Sequence, residues 1–334
     1  MLDDRKSAIL RAVVQTYIET AQPVGSTHIV EATEVGVSPA TVRSDMTLLE
    51  REGYLMQPHT SAGRVPTEKG YRHFVDAIGP GELSADHART VRGFFAKAHG
   101  ELDEMLRSTS RLLSTVTSTA AVVTTDVKDS TTIRSVQLVD LSPTLYLIVA
   151  VLSSGELVKK SVDHSEELSA DNVGWASRAL AGHLVGARIG EVTVPPSAGE
   201  PEVDLLVTEA VEALQKALNQ SRNSAYVEGT SNIALSLDLT SNLKSVLELL
   251  EQQLTVVSLL RDVMDRGMTV AIGSESGIAP LAECSLVLAP YEVDGERAGT
   301  IGVLGPTRMN YTETVAAVAV ISQRLSKMLT EGSK

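Results

Sequence analysis

The chain has 334 residues, too many for one ordinary hydrophobic core, so two or three domains are predicted. Hydrophobic residues make up 43% of it, and no apolar run approaches the roughly 20 residues of a membrane-spanning helix. A single cysteine and an N-terminus without a signal-peptide pattern predict a cytoplasmic protein with no membrane partner. The net charge is −13, yet residues 1–78 hold eight Lys/Arg against ten Asp/Glu, so the N-terminal part is close to neutral. This balance excludes a basic tail that binds any polyanion.

The first fifty residues show the pattern of three helices. Apolar residues in 3–20 recur at helical spacing, Pro23 is expected to break that helix, and Ser26 can cap a short second one reaching about residue 32. Ser38 is a good N-cap, followed by Pro39 at the first helical position. Gly53 is placed to end this third helix in the left-handed conformation.

A hairpin and a fourth helix are predicted next. Residues 54–59 can form a strand, residues 60–63 a tight turn and residues 64–66 a return strand, after which Thr67 can cap a helix to Ile78. The order of helix, short helix, helix and hairpin is typical of a winged helix-turn-helix, which we assign to residues 1–80. Residues 79–81 are a plausible linker.

The third helix and the hairpin tip carry the candidate DNA-binding residues. Polar side chains there can reach base edges or phosphates, and an arginine on the hairpin can enter a narrow minor groove. Gly63 would let the hairpin backbone approach DNA, while Asp45, Glu50 and Glu52 should face away from phosphates. A protein-interaction module remains an alternative, and Arg43 could instead pair with Glu50 along the helix. The candidates are Ser38, Thr41, Arg43, Ser44, Thr47, His59, Thr60, Ser61 and Arg64.

The rest of the chain mixes helical and strand patterns. Helices are predicted over 84–115, 171–184, 202–219 and 241–262, with a last helix opened by Asn310. Strands are predicted at 120–123, within 133–162 with a hairpin at 153–155, and at 268–272, 285–291 and 299–304, with a turn at Asp294 and Gly295. Trp175 is expected in a core or an interface.

Several long stretches resemble the HrcA family of heat-inducible transcription repressors. They are residues 24–26 (VGS), 37–46 (VSPATVRSDM), 49–50 (LE), 53–55 (GYL), 57–67 (QPHTSAGRVPT), 69–72 (KGYR) and 302–311 (GVLGPTRMNY). Ser44 departs from the family, which often has asparagine there; a serine reaches less far towards a base.

The resemblance implies an α+β multidomain fold of three parts. These are the winged helix (1–80), a discontinuous GAF-like α/β domain (84–160 and 235–334) and an inserted dimerising module (161–234). It also implies a homodimer that represses heat-shock chaperone operons at a double-stranded inverted-repeat operator of the CIRCE type, is derepressed by heat, and is modulated by the chaperonin GroEL. The residues alone leave open whether helices 171–184 and 202–219 make the dimer or fill the chain's own core.

Other functions find little support in the sequence. The glycine-containing stretch 273–277 lacks the ending and spacing of a phosphate loop, and the seven histidines show no metal-ligand spacing. We therefore expect no catalytic residues, no metal, no cofactor and no enzyme activity. The alternative is a metabolite-responsive winged-helix repressor whose GAF-like domain holds a ligand.

Overall fold

The computed structural model describes residues 2–32, 37–59, 62–79, 81–97, 101–125, 131–153, 155–197, 199–221, 224–236, 243–266 and 269–332. The fold is mixed α/β with antiparallel sheets. It contains three groups of elements: an N-terminal unit, a central unit around a five-stranded sheet, and a unit around a three-stranded sheet.

The N-terminal unit follows the predicted order of elements. It comprises α1 (Asp4–Thr20), α2 (Ser26–Ala32), α3 (Pro39–Arg51), β1 (Leu55–Met56), β2 (Val65–Pro66) and α4 (Glu68–Asp76). Hydroxyls of Ser38 and Thr67 cap α3 and α4 as predicted, and Gly53 has the expected positive φ of 78°. The first helix ends at Thr20 as predicted, and Ala21 follows it in the left-handed conformation at φ 54°.

The central unit is a five-stranded antiparallel sheet with helices on both faces. Its strand order is β7 (Ala225–Glu228), β3 (Ala120–Thr125), β10 (Glu296–Pro306), β9 (Cys284–Val293) and β8 (Val270–Ile272). The predicted β9–β10 turn has positive φ at both Asp294 and Gly295, which suits a two-residue hairpin loop. One sheet face packs against α6 (Leu102–Thr117) and α12 (Tyr311–Gly332), with α5 (Ala85–Lys97) alongside them. The other packs against α9 (Thr230–Ser236), α10 (Leu243–Glu251) and α11 (Gln253–Asp265).

Two long helical predictions are divided in the structure. The stretch 84–115 forms the separate helices α5 and α6, and 241–262 is interrupted at Gln252 between α10 and α11. Residues 273–276, predicted as a loop, form a short 3-10 turn after β8.

The three-stranded unit has a core of its own. Strands β4 (Ile133–Ser142), β5 (Leu145–Leu152) and β6 (Leu157–Asp163) form an antiparallel sheet, and α7 (Ala170–Leu184) and α8 (Pro201–Ser221) pack with it. The predicted module boundary at residue 160 falls inside β6, so residues 133–160 share a sheet and a core with α7 and α8. The predicted hairpin at 153–155 joins β5 to β6, although Ser154 lies outside the described residues. Trp175, predicted in a core or an interface, is 54% exposed and so lies outside this core.

The N-terminal unit packs against the central unit. Its buried residues Ile9, Leu49 and Phe74 belong to the same hydrophobic cluster as Ile301 and Ile321 of the central unit. This shared core holds the two units in contact.

Candidate nucleic-acid interface

Helix α3 exposes a polar side around its N-terminal half. Val42, Met46 and Leu49 are buried at helical spacing, which turns Arg43 and Ser44 to solvent. No hydrogen bond or ion pair engages the Arg43 guanidinium within the described part of the chain. An exposed arginine beside a small hydroxyl is suited to bidentate contact with a guanine or a phosphate.

The other three predicted residues of this helix are partly occupied by their own helix. The Ser38 hydroxyl accepts a hydrogen bond from the Thr41 backbone N–H at 3.2 Å and lies 3.0 Å from the Thr41 hydroxyl. The Thr47 hydroxyl donates to the Arg43 carbonyl at 3.0 Å. Each hydroxyl keeps an acceptor lone pair, but its orientation is set by the helix.

The two acidic side chains within α3 are each held by an arginine. Asp45 is buried and accepts from Arg5 Nε at 2.8 Å and Nη2 at 3.2 Å. Glu50 accepts from Arg64 Nε and Nη2, both at 2.9 Å. Glu50 therefore pairs across to the hairpin and not with Arg43, which removes the alternative of an intrahelical pair. Arg5 is a positioning residue that the sequence reasoning missed, because its partner lies 40 residues away.

The hairpin packs back onto the N-terminal unit more closely than the sequence indicated. Arg64 is 17% exposed, and its backbone forms two hydrogen bonds of 2.9 Å with Val24. Gly63 also faces Val24, since a Cβ at Gly63 would overlap the Val24 backbone. Packing within the protein therefore already accounts for a glycine at this position.

The hairpin tip is only partly described. His59 is exposed, and its carbonyl accepts from the Ala62 N–H at 2.9 Å. Thr60 and Ser61, two of the predicted contacts, lie outside the described residues. Arg43, Ser44 and His59 are therefore the predicted residues that the structure leaves open to a partner.

Other kinds of site are poorly represented. Across the described ranges, no group of three His, Cys, Asp or Glu side chains could hold a metal ion. Within the same ranges, no helix has the length and apolar character needed to cross a membrane. Burial raises the pKa of the Cys284 thiol to about 12, which makes it a poor nucleophile.

Comparison with known proteins defines the class first. Residues 103–315 match the family described as HrcA protein C terminal domain, and the curated relatives over nearly the whole length are transcription repressors. A heat-inducible transcription repressor HrcA from Nocardia farcinica is 36% identical, covering 98% of this chain and 97% of that protein. The corresponding protein of Streptomyces albus G is 34% identical, covering 99% of this chain and all of its own. The chain belongs to the HrcA family of heat-inducible transcription repressors.

A solved structure supports the fold. A crystal structure of a hypothetical protein superposes with a TM-score of 0.71 at 24% identity, covering 99% of each chain. At that identity the likeness concerns the fold alone.

Proposed function

We propose that this protein binds an inverted-repeat operator of the CIRCE type as a dimer and represses heat-shock chaperone operons. The observation that carries the proposal is the pair Arg43 and Ser44, exposed on a capped helix beside a hairpin in a member of a repressor family. Such a protein acts in the cytoplasm on double-stranded DNA and needs neither cofactor nor metal.

In this proposal the N-terminal unit is a winged helix-turn-helix that spans residues 1–80. Helix α3 enters the major groove, where Arg43 and Ser44 read base edges and Ser38, Thr41 and Thr47 contact the backbone. Residues 59–61 at the hairpin tip approach the flanking phosphates. Arg64 contributes indirectly, because its guanidinium is committed to Glu50 and holds the hairpin against α3.

The proposed operator requires a two-fold protein, and the three-stranded unit offers a surface for it. The inward faces of α7 and α8 are used up in their own core, so these helices do not present them to a partner. The outer face of the sheet is exposed or half-buried and mixes apolar side chains with polar ones such as Gln137, Lys159 and Ser161. Its apolar part pairs Val139 with Leu147 and Val151 with the 46% exposed Leu157, and Val149 lies between these pairs on β5.

We propose the remaining domains accordingly. Residues 131–221 form the inserted dimerising module, a larger unit than residues 161–234 predicted from the sequence. Residues 84–125 and 225–332 form the GAF-like domain, and they share the sheet and the two cores that flank it.

The DNA-reading surface is tested by replacing Arg43 with alanine. We expect operator binding to weaken by about 1–3 kcal/mol if the lost contact is bidentate to a base. Arg89→Ala is a matched control, because Arg89 is an exposed helical arginine of the central unit. Operator affinity that is equal for the two variants would refute the assignment of α3 as the reading helix.

The dimer is tested with two exposed leucines. Leu157→Asp adds a charge to the sheet face, whereas Leu205→Asp adds one to an exposed position of α8 that is 48% accessible. Sedimentation velocity should show a monomer for the first variant and a dimer for the second. A dimer that survives Leu157→Asp would show that the interface lies elsewhere.

Heat derepression follows if the repressor loses operator binding as a marginally stable fold unfolds or aggregates, with GroEL restoring it. DNA binding and light scattering should change together through a temperature ramp, and added GroEL should raise the active fraction. Loss of binding by a folded, soluble protein would contradict this mechanism.

A second candidate function is a repressor controlled by a metabolite. It is favoured by a cleft of about 560 Å³ between α4, β8 and α12, lined by Arg72, Asp76, Glu275 and apolar side chains. A small molecule that shifted operator affinity tenfold at fixed temperature would favour this function over direct heat sensing.

A further inference from the structure

Helix α4 connects the N-terminal unit to the central unit through side-chain contacts as well as through the backbone. On one side Tyr71 and Phe74 are buried in the shared core, and Gly70 lies so close to the Tyr54 carbonyl that a Cβ would overlap it. On the other side Glu68 and Arg72 reach the turn that follows β8. Any movement of α3 relative to the five-stranded sheet must therefore break contacts made by α4.

Arg72 and Glu68 make a polar latch with that turn. Arg72 donates to the Glu275 carboxylate through Nε at 2.9 Å and through Nη2, and Nη2 also donates to the Val270 carbonyl at 2.8 Å. Glu68 accepts from the backbone N–H of Ser274 at 3.0 Å and from its hydroxyl at 2.5 Å. Residues separated by about 200 positions in the sequence are thus joined in a charged, bidentate arrangement. We call Glu68, Arg72, Ser274 and Glu275 the latch.

The turn after β8 is held in its conformation by hydrogen bonds of its own. The Glu275 carboxylate also accepts from the Ile272 N–H at 2.8 Å, and Arg266 holds the carbonyls of Glu275 and Ser276 at 3.1 and 3.0 Å. Gly273 has φ 55°, and a Cβ there would overlap the Glu68 carboxylate. A side chain at Gly273 would therefore both strain the turn and displace Glu68.

The charges of the latch persist at neutral pH. Although burial alone would raise the pKa of Glu275, hydrogen bonds from Arg72 and from the Ile272 N–H outweigh it and hold that pKa below its usual value. The hydrogen bond to Glu275 in turn raises the pKa of Arg72. The pair is consequently ionised over the range in which DNA binding would be measured.

The segment between α4 and α5 does not by itself fix the orientation of the N-terminal unit. Residues 77–84 separate α4 from α5, and eight residues can reach at most about 27 Å when extended. A dimer that reads an inverted repeat must hold its two reading helices one helical turn, or a multiple of it, apart. If the N-terminal units can reorient, then binding of one unit to its half-site gives a lower effective concentration of the other unit at the second half-site.

We propose that the latch sets the half-site spacing that the repressor accepts, with Arg72 and Glu275 as positioning residues. The inference rests on the proposed function, because it concerns how two reading helices are placed on one operator. Neither residue contacts DNA in this proposal. They affect the relative placement of the two N-terminal units in the dimer and not the affinity of one N-terminal unit for its half-site.

The test measures binding of the dimer to inverted repeats whose half-sites are moved apart or together by single base pairs. The wild type should prefer one spacing, and Arg72→Ala should reduce that preference by about tenfold while binding to an isolated half-site stays unchanged. Arg72→Lys, which keeps the positive charge but loses the bidentate contact, should give an intermediate preference. Arg89→Ala serves as the control for loss of an arginine elsewhere.

A second readout does not depend on DNA. Dyes on cysteines introduced at the exposed positions Gln15 of α1 and Lys327 of α12 report the distance between the two units. The distance distribution should broaden in Arg72→Ala, in Glu275→Gln and in the milder variant Ser274→Ala, whose folding is checked by melting curves. The buried thiol of Cys284 is not expected to compete for the dyes.

Different results separate the two proposals. A folded Arg72→Ala protein that keeps the wild-type spacing preference, or binds every spacing more tightly, overturns the latch. A wild type that binds the operator but accepts all spacings equally overturns the latch and leaves the proposed function standing. Equal binding of wild type to operator and to random DNA overturns the proposed function itself.

Discussion

Two buried tyrosines that face each other offer a test of the shared core. The rings of Tyr71 in α4 and Tyr311 at the start of α12 lie 5.9 Å apart. The Tyr311 hydroxyl lies 2.7 Å from the Ser285 hydroxyl and donates to the Thr307 carbonyl at 2.7 Å. The Tyr71 hydroxyl is buried and has no hydrogen-bond partner in the described ranges. Removing the same oxygen atom from the two rings should therefore have opposite effects.

The magnitudes follow from the hydrogen bonds. Tyr311→Phe removes two buried bonds worth about 1 kcal/mol each, so the free energy of unfolding should fall by about 2 kcal/mol. Tyr71→Phe removes a hydroxyl that is buried without compensation, so the free energy of unfolding should rise by about 1 kcal/mol. Both phenylalanines keep the ring packing and so create no cavity.

Urea denaturation followed by circular dichroism measures both changes at pH 7, with the slope m checked for constancy. The double variant shows whether the two rings are coupled, as neighbours in contact often are. A Tyr71→Phe protein that is destabilised by as much as Tyr311→Phe would refute the description of this contact between the units.

Three further predictions concern other buried groups. Burial, aided by Asp103, raises the pKa of Glu156 to about 7 from 4.5; the folded state therefore binds the extra proton, and the stability this gives is lost as pH rises through 7. When the pH rises from 5 to 8.5, the free energy of unfolding of Glu156→Gln should increase relative to wild type by up to about 3 kcal/mol. Urea denaturation that shows the same difference between the two proteins at both pH values would contradict this. Gly63→Ala should lose roughly 1–3 kcal/mol by overlap with the Val24 backbone, whereas Gly25→Ala, which meets nothing within 4 Å, should not; equal melting temperatures would argue against the packing role. Cys284 should resist alkylation in the native protein and react once the protein is heated through its unfolding transition, and rapid labelling at 25 °C would show that the thiol is accessible.

Local features of the N-terminal unit could be predicted from the sequence because their causes are local. Ser38 and Thr67 cap helices through hydroxyls three residues before the N–H groups that they accept from. The positive φ of Gly53 and of the Asp294–Gly295 turn follows from residue types that tolerate it. The helical spacing of apolar residues likewise predicted that Val42 and Met46 are buried and that Arg43 is exposed.

Long-range pairing of charges could not be predicted in this way. Arg64 pairs with Glu50 across 14 residues, and Arg72 pairs with Glu275 across 203. Neither spacing is a helical or strand period, so no local pattern shows which acid an arginine will meet. Arg72 lies in the stretch 69–72 that resembles the family, and this resemblance was the signal available for it.

Surfaces were also hard to predict because composition does not report what covers a side chain. Trp175 is large and apolar but more than half exposed on α7. The outer face of β5 carries the same residue types as its buried face, with Leu147 and Val149 alternating with Ile148 and Ala150. Which face meets the helices depends on packing between α7, α8 and the sheet, and this is set by contacts far apart in the sequence.

Sequence-specific DNA binding by a dimer is the claim on which the proposed function depends. It is tested most directly by measuring the affinity of the wild type for three DNA duplexes of equal length at physiological salt. These duplexes carry the inverted repeat found upstream of a chaperone operon, one half-site, and a scrambled sequence. We predict that the inverted repeat binds at least about 10³ times more tightly than the scrambled duplex, with the half-site between them. Equal affinities for the three duplexes would contradict the claim.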